Sequence, residues 1–296
     1  MPIALIGHIP HDRYIFTDGS THTGFGGVLY GAAALAGALD GRDEVVLISR
    51  VGEEIVSPVR AILAGYGGIT PRIDTVPGHG WVVNATYLDG EHRREQLVGG
   101  VPPWTSEELR EAVAGCDAVI LNMVTGFEID LVEFGRFAVG CPLLHLDFHS
   151  LALSRSPEGF RAPAFNDSAR QWCAHAHVLQ MNRAELRSVC GDTDPLEAVA
   201  SLSTWGPDWV AVTDGSHGVY GAHSGSSWHL GAVEPTEDPV DPTGCGDAFG
   251  ACLLVNRLRG MPLRDAARAA ERVARRNADQ RGIPTPARLR EISSIR

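Results

Sequence analysis

The chain has 296 residues, of which 44% are hydrophobic and 21% are charged, a composition typical of a globular protein with a sizeable core. The formal net charge is -11 and the Lys and Arg residues form no long cluster, so we do not expect nucleic acid as a main partner. The six cysteines are scattered without paired spacing, and the sequence has neither an apolar run of 18 residues nor a signal-peptide pattern, so we expect a cytoplasmic protein without a membrane partner.

Short apolar runs alternate with helical patterns along the chain. The runs predicted as strands are IALIG (3–7), EVVLISRVG (44–52), AVILNM (118–123), LLHLDF (143–148), HVLQMN (177–182) and WVAVTDG (209–215). Strands that are apolar throughout and separated by helices indicate a parallel sheet covered on both faces. The sequence therefore predicts an α/β architecture.

One region departs from this alternation. From position 80 the chain reads GWVVNATYLDGEHRREQLVGG, in which two strand-like runs are joined by a turn sequence typical of a hairpin. The segment HDRYIFTD, at 11–18, has the pattern of a further strand beside it. We therefore predict a single domain over 1–296 with a small β lid formed by about 11–18 and 80–100.

Residues 241–250, DPTGCGDAFG, combine a glycine turn with the start of a helix. Gly244 and Gly246 permit a sharp turn, and the unpaired amides at the helix start favour an anion such as a phosphoryl group. Asp247 could take a proton from an attacking hydroxyl while the amides of Gly244, Cys245 and Gly246 hold the phosphoryl oxygens. The alternative is that Asp247 is an ordinary first-turn residue favoured by the helix dipole.

The stretch DPTGCGDAFGACL is similar to the C-terminal signature of the ribokinase-like, or PfkB-type, carbohydrate kinase family. Further family elements follow in the same order over nearly the whole chain. The resemblance implies a mostly parallel central sheet with helices on both faces and a β lid. It also implies transfer of the γ-phosphoryl group of ATP, with Mg²⁺, to a hydroxyl of a sugar, an inositol-like polyol or a nucleoside. Asp247 is then the catalytic base and 244–247 the anion hole.

The same resemblance carries over to other motifs, residue by residue. The acceptor is expected at the Asp of GHIPHD and the double glycine of GFGGVL, which are Asp12, Gly26 and Gly27. Asp147 follows a predicted strand, at the sheet edge where ligands contact open α/β folds.

The donor side of the expected site rests on four further matches. The Asn-x-x-Glu element of MNRAE is Asn182 and Glu185, associated with Mg²⁺, which Glu185 could hold directly or through water. The same pair also fits a helix capping box. The nucleotide is expected beside the residues Thr213, Gly215, Gly218 and, near adenine, Asn277. Asp241 and Thr243 match a monovalent-cation site of some members, which implies K⁺, although Pro286 stands where a hydroxyl ligand is expected.

One departure from the family pattern, two alternative functions and one hypothesis on assembly complete the expectations. Tyr30 and Gly31 stand where sugar-binding members carry an Asn, so the resemblance is nearer to the inositol or nucleoside kinase type. A dinucleotide enzyme would need G-x-G-x-x-G after the first strand, which GHIPHD does not supply. A non-catalytic sugar- or nucleotide-binding regulatory protein on the same fold is the remaining alternative. Lid hairpins of this family often pair between subunits, which adds a homodimer to the hypotheses.

Overall fold

The structure is a computed structural model that describes residues 1–39, 43–88, 93–233, 240–285 and 288. Its strands are β1 (Ile3–Ile6), β2 (His11–Ile15), β3 (Thr21–Phe25), β4 (Val45–Gly52), β5 (Ile69–Val76), β6 (Trp81–Tyr87), β7 (Arg93–Gly99), β8 (Ala118–Asn122), β9 (Leu143–Asp147), β10 (Leu153–Arg155), β11 (Phe160–Pro163), β12 (Val178–Asn182), β13 (Trp209–Thr213), β14 (Val219–His223) and β15 (Ser226–Leu230). Its α-helices are α1 (Val28–Leu39), α2 (Val56–Leu63), α3 (Ser106–Ala112), α4 (Leu131–Ala138), α5 (Ala169–Cys173), α6 (Arg183–Cys190), α7 (Pro195–Ser203), α8 (Cys245–Leu258) and α9 (Leu263–Asn277).

The first sheet has nine strands in the order β15-β14-β13-β12-β9-β8-β1-β4-β5. All neighbours from β13 to β5 are parallel, whereas β14 and β15 are antiparallel. The predicted mostly parallel α/β sheet is therefore confirmed. The chain leaves β1 towards β4 and β5, and later crosses to β8 on the other side of β1. Such a reversal opens a crevice at the carboxyl ends of the strands, where α/β proteins bind ligands.

Both faces of the first sheet are covered, as the side chains of β1 show. Ile3 and Leu5 pack into a core that includes side chains of α1 and α8. Ala4 and Ile6 point the other way, into a core built with α4, α6 and α7. Alternate residues of one strand therefore contribute to two cores, which is why this strand is apolar throughout.

The second sheet has six strands in the order β10-β11-β7-β6-β2-β3. It contains β2, β6 and β7, which occupy the segments expected to form the lid, although 89–92 at the hairpin turn lie outside the described residues. The sheet is larger than expected, because β3, β10 and β11 join it. It also contacts the segments that follow β8 and β9 of the first sheet, since the Arg161 guanidinium donates to the Val124 carbonyl oxygen and to Ser150 Oγ. Within the described ranges, no helix has the length and hydropathy of a membrane span.

Candidate active site

A cleft of about 290 Å³ lies between the carboxyl edge of the first sheet and the second sheet. The residues expected from the sequence that line it are Asp12, Gly27, Asp147, Asn182, Glu185, Thr213, Thr243, Gly244, Gly246 and Asp247. Those that do not line it are Gly26, Gly215, Gly218, Asp241, Cys245 and Asn277. Elements that are far apart in sequence thus bring most of the expected side chains to one surface.

The start of α8 forms the part of the cleft suited to an anion. Gly244 precedes the helix with φ +80°, and a Cβ there would overlap the ring of Tyr30, so only glycine fits. The N–H groups of Gly244 and Gly246 have no acceptor among the described residues. Cys245 is the exception to the expected set, because its N–H already donates to the Pro242 carbonyl oxygen at 3.2 Å. Of the amides of Gly244, Cys245 and Gly246, those left for an anion are therefore the ones of Gly244 and Gly246.

Asp247 lies in the first turn of α8 and faces the cleft. Burial raises the pKa of Asp247 to about 6, although the positive charge of His149 and the hydrogen bond from Asn122 act in the opposite direction. Asn122 Nδ2 donates to Asp247 Oδ1 at 2.5 Å, which fixes one carboxylate oxygen. A carboxyl with this pKa is mostly ionised at pH 7 and is a stronger base than a surface Asp. Asn122 was not anticipated; its only signal is a polar residue at the end of the run AVILN.

Two further carboxyls and one imidazole lie beside Asp247. Burial raises the pKa of Asp147 well above its usual value, and the charges of Glu185 and Asp247 raise it further. Burial alone would lower the pKa of His149, but the hydrogen bond to Glu185 and the charges of Glu185 and Asp147 raise it to about 9. His149 has φ +21°, an uncommon conformation, and its side chain is 45% exposed towards the cleft. The cleft therefore holds an imidazolium among carboxylates at neutral pH.

Asn182 and Glu185 form the capping box at the start of α6. Asn182 Oδ1 accepts from the Glu185 N–H at 2.9 Å, and the Asn182 N–H donates to Glu185 Oε2 at 2.8 Å. Glu185 Oε1 accepts from Asn182 Nδ2 at 2.7 Å and lies 3.2 Å from His149 Nδ1. The helix-capping interpretation is thus present in the structure. Since both residues also line the cleft, capping does not remove them from the site.

The Asp12 carboxylate packs against the double glycine that precedes α1. A Cβ on Gly26 would overlap Asp12 Oδ2, and a Cβ on Gly27, at φ +60°, would overlap the His8 carbonyl oxygen. The Asp12 carboxylate therefore approaches the start of α1, where the helix dipole favours negative charge. Tyr14 donates its hydroxyl hydrogen to Asp12 Oδ2 at 3.1 Å. These contacts place a nearly buried carboxylate in the wall of the cleft.

Gln180 and His145 support the start of α8 from the sheet side. Gln180 Nε2 donates to the Gly246 carbonyl oxygen at 2.8 Å, and Gln180 Oε1 lies 3.1 Å from His145 Nε2. Burial lowers the pKa of His145 to about 4, so the ring is neutral and carries its proton on Nε2, facing that oxygen. Neither residue was anticipated from the sequence. The available signal is a polar side chain inside each of the apolar runs LLHLD and VLQMN.

The remaining expected residues shape the loops around the cleft. Gly215 (φ +52°) and Gly218 (φ +96°) flank a short 3-10 turn after β13, and a Cβ on Gly218 would overlap the Leu230 carbonyl oxygen. Asn277 is buried and donates through Nδ2 to the Thr243 carbonyl oxygen at 3.0 Å. Asp241 Oδ1 accepts from the Thr243 N–H at 2.9 Å. Asn277 and Asp241 therefore hold the loop before α8, whereas Pro286 lies outside the described residues.

Comparison with known proteins finds a matching family model, a relative and solved structures of the same fold. Residues 151–288 match the model of the pfkB family carbohydrate kinases. The cytidine kinase of Thermococcus kodakarensis is 27% identical over 286 residues, which cover 90% of this chain and 92% of the relative. A sulfate complex of a pyrophosphate-dependent kinase in the ribokinase family superposes with a TM-score of 0.84 at 19% identity, over 98% of this chain and 99% of the other. Ribokinase of Arabidopsis thaliana, complexed with ribose and ATP, superposes with a TM-score of 0.76 at 20% identity, over 100% of this chain and 99% of the other.

Proposed function

We propose that the chain, whose residues 151–288 match the model of the pfkB family carbohydrate kinases, is a phosphotransferase that transfers the γ-phosphoryl group of ATP to a hydroxyl of a small polyhydroxy compound. The acceptor is a sugar, an inositol-like polyol or a nucleoside. One observation carries this proposal: the Asp247 carboxylate lies next to the Gly244 and Gly246 amides, in a cleft that it shares with Asp12.

Asp247 acts as the general base in this proposal. The acceptor hydroxyl lies against Asp247, which takes the proton as the oxygen attacks the phosphorus atom. Asn122 keeps the carboxylate in one orientation, and a pKa of about 6 leaves Asp247 ionised at pH 7. Meanwhile the amides of Gly244 and Gly246 and the N-terminus of α8 stabilise negative charge on the transferred group.

The donor side of the cleft is formed by Asn182, Glu185 and Thr213. A ribokinase-type structure from Escherichia coli contains ATP and Mg²⁺, which supports ATP as the donor and Mg²⁺ as its metal ion here. Among the described residues no group of three His, Cys, Asp or Glu side chains has a metal-binding arrangement, so Mg²⁺ fits as an ion carried on the donor. It would neutralise phosphate charge, with Glu185 reaching it directly or through water. Asp241 Oδ2 also accepts a hydrogen bond from the Gly282 N–H at 3.4 Å. A K⁺ site at Asp241 and Thr243 remains part of the proposal.

The acceptor side is formed by Asp12 and Tyr14, with Tyr30 beside the start of α8. A carboxylate such as Asp12 can accept hydrogen bonds from two hydroxyls of one polyol, which suits a sugar, an inositol or the ribose of a nucleoside. Cytidine is a rational member of the test panel, because the Thermococcus relative is a cytidine kinase. We propose that the second sheet covers this end of the cleft as a lid.

The test is a coupled ATP-turnover assay with pentoses, hexoses, inositols and nucleosides, using the wild type and Asp247→Asn. We expect at least one acceptor to stimulate turnover in the wild type, and Asp247→Asn to lose about 10²- to 10⁴-fold in kcat. Asp265→Asn is the matched control, since Asp265 is also an acid in the first turn of a helix but is exposed on α9. Acceptor-dependent turnover that survives intact in Asp247→Asn would rule out the assigned base.

A further inference from the structure

A buried ion pair forms part of the acceptor end of the cleft. Glu95 on β7 and Arg161 on β11 are opposite each other in the second sheet, and Arg161 Nη2 donates to Glu95 Oε2 at 2.7 Å. Their side chains are only 16% and 8% exposed, yet both line the cleft that contains Asp12. With little water to compete, such a charge-assisted bond is strong and well oriented.

The guanidinium of Arg161 already donates to three protein acceptors. Nη1 donates to the Val124 carbonyl oxygen at 3.1 Å and to Ser150 Oγ at 2.9 Å, while Nη2 is held by Glu95. Nε is buried and has no acceptor within the described part of the chain. Three of the five N–H groups of Arg161 are therefore committed, and the Glu95 carboxylate balances the positive charge that would otherwise attract an incoming anion.

The other charged groups of the cleft are mostly negative. Besides Asp147, whose pKa is raised by burial, the described lining residues with carboxylate side chains are Asp12, Glu95, Glu185 and Asp247. Apart from Arg161, the cationic group among these residues is His149, which lies against Glu185. Neutral hydroxyls can donate hydrogen bonds to such carboxylates, whereas a carboxylate or phosphate on the acceptor would be repelled.

We infer that the Glu95–Arg161 pair determines specificity, by restricting the acceptor to uncharged polyhydroxy compounds and rejecting sugar acids and sugar phosphates. This inference rests on the proposed function and specifies its substrate class. Glu95 acts by neutralising Arg161, the arginine among the described lining residues, which could otherwise receive an acceptor anion. Removing the Glu95 charge without changing its shape frees the Arg161 charge and relaxes the selection, because rejection here depends on an unfavourable electrostatic contact.

The experiment measures kcat/KM for acceptors in matched neutral and anionic pairs. The pairs are D-glucose with D-glucuronate, myo-inositol with myo-inositol 1-phosphate, and cytidine with cytidine 3′-monophosphate. Wild type and Glu95→Gln are compared with the control Glu158→Gln, which changes an exposed glutamate that precedes β11 and lies outside the cleft. We expect the wild type to prefer the neutral member by about 100-fold, and Glu95→Gln to reduce that preference at least about 10-fold through KM of the anion. Glu158→Gln should behave as the wild type.

A second measurement needs no substitution. Repulsion across the cleft is screened by salt, with a Debye length of about 10 Å at 0.1 M and about 3 Å at 1 M, so the wild-type preference should shrink as KCl is raised. Efficient phosphorylation of the anionic members by the wild type, or a preference that neither Glu95→Gln nor salt alters, would overturn the inference and leave the kinase proposal intact. If no acceptor of any charge stimulates turnover, the proposed function itself fails.

Discussion

The burial of Asp247 lowers the stability of the folded protein and at the same time makes its carboxylate a stronger base. Burial opposes its ionisation, and the nearby Glu185 adds like charge, while Asn122 and His149 compensate only in part. The resulting pKa of about 6 lies above the value near 3.9 expected in the unfolded chain. The folded protein therefore binds a proton here more tightly than the unfolded chain does. A residue whose only role was to start a helix would not need to be buried beside a second carboxylate.

The first prediction is that Asp247→Asn stabilises the protein at neutral pH. Because the folded pKa is raised, the stability that the protonated carboxyl contributes is present below about pH 4 and is lost as pH rises to about 6. The variant should therefore gain on the order of 1 to 2 kcal/mol at pH 7.5, where the wild type must keep a partly buried charge, and little or nothing at pH 4. Urea unfolding at the two pH values measures this difference. A less stable variant at pH 7.5 would show that the surroundings favour the ionised Asp247, and Asp265→Asn controls for loss of a helix-start charge.

The second prediction concerns the pH dependence of catalysis. If Asp247 is the base, kcat/KM for the acceptor should fall below an apparent pKa near 6, since the protonated carboxyl cannot accept the hydroxyl proton. The hydrogen bond from Asn122 lowers this pKa, so Asn122→Leu should move the acid limb to higher pH as well as reduce kcat. Rates measured between pH 5 and 9 at saturating donor test both statements. A kcat/KM that shows no acid limb above pH 5 in either protein would point to a different titrating group.

At the scale of elements, the start of α8 is held by three neighbours. Tyr30 of α1 packs against Gly244, Asn277 of α9 donates to the carbonyl oxygen of Thr243, and Gln180 of β12 donates to that of Gly246. These contacts come from two neighbouring helices and one strand of the sheet. Asn277 fixes the peptide plane that carries the Gly244 N–H, and Gln180 holds Gly246 itself in place. The anion site is therefore preorganised by packing and not by the glycine turn alone.

The third prediction tests the support from β12. A Cβ on Gly250, one turn further along α8, would overlap Gln180 Oε1 and would displace that side chain from Gly246. Gly250→Ala should therefore lower kcat about 10-fold through misplaced charge stabilisation, with the acceptor KM nearly unchanged. Gly135→Ala in α4 is the control, because its nearest neighbour, His175, is at an ordinary van der Waals distance. Steady-state kinetics and thermal unfolding of the two variants test this prediction. An unchanged kcat in Gly250→Ala would show that Gln180 is not needed to position Gly246.

The elements differ in how far the sequence could predict them. The parallel strands β1, β4, β8, β9, β12 and β13 are mostly apolar, so hydrophobic pattern alone indicated them, whereas the edge strand β5, which reads ITPRIDTV, was not predicted. By contrast β3, β10 and β11 read THTGF, LSR and FRAP, which are short, partly polar and without a clear alternation. Among the site residues, those in the family motifs were identified, whereas Asn122, Gln180 and Arg161 are single polar residues. Their roles depend on contacts between distant elements, which spacing along the chain does not encode.

At the scale of the whole molecule, the second sheet has one face in the cleft and one face outside. Asp12 and Tyr14 of β2 line the cleft, so the alternate residue Ile15 points away from it. Ile15 is 45% exposed, and Leu88, directly after β6, is 64% exposed. Strand β3 at the edge also leaves backbone groups available for pairing with another chain. Apolar side chains on an outer sheet face next to an open edge favour association with a second copy.

The last prediction is a homodimer through this outer face. Light scattering at assay concentration should give twice the chain mass of 31.7 kDa for the wild type, and about one chain mass for Ile15→Glu, because a buried unpaired carboxylate opposes association. Val132→Glu is the matched control: Val132 is an equally isolated apolar residue, 64% exposed on α4, and its replacement should leave the dimer intact. If association orders the second sheet over the cleft, the Ile15→Glu monomer should also show a higher acceptor KM with a smaller effect on kcat. A wild type that elutes and scatters as a monomer would contradict the dimer, and the cleft would then have to close within a single chain.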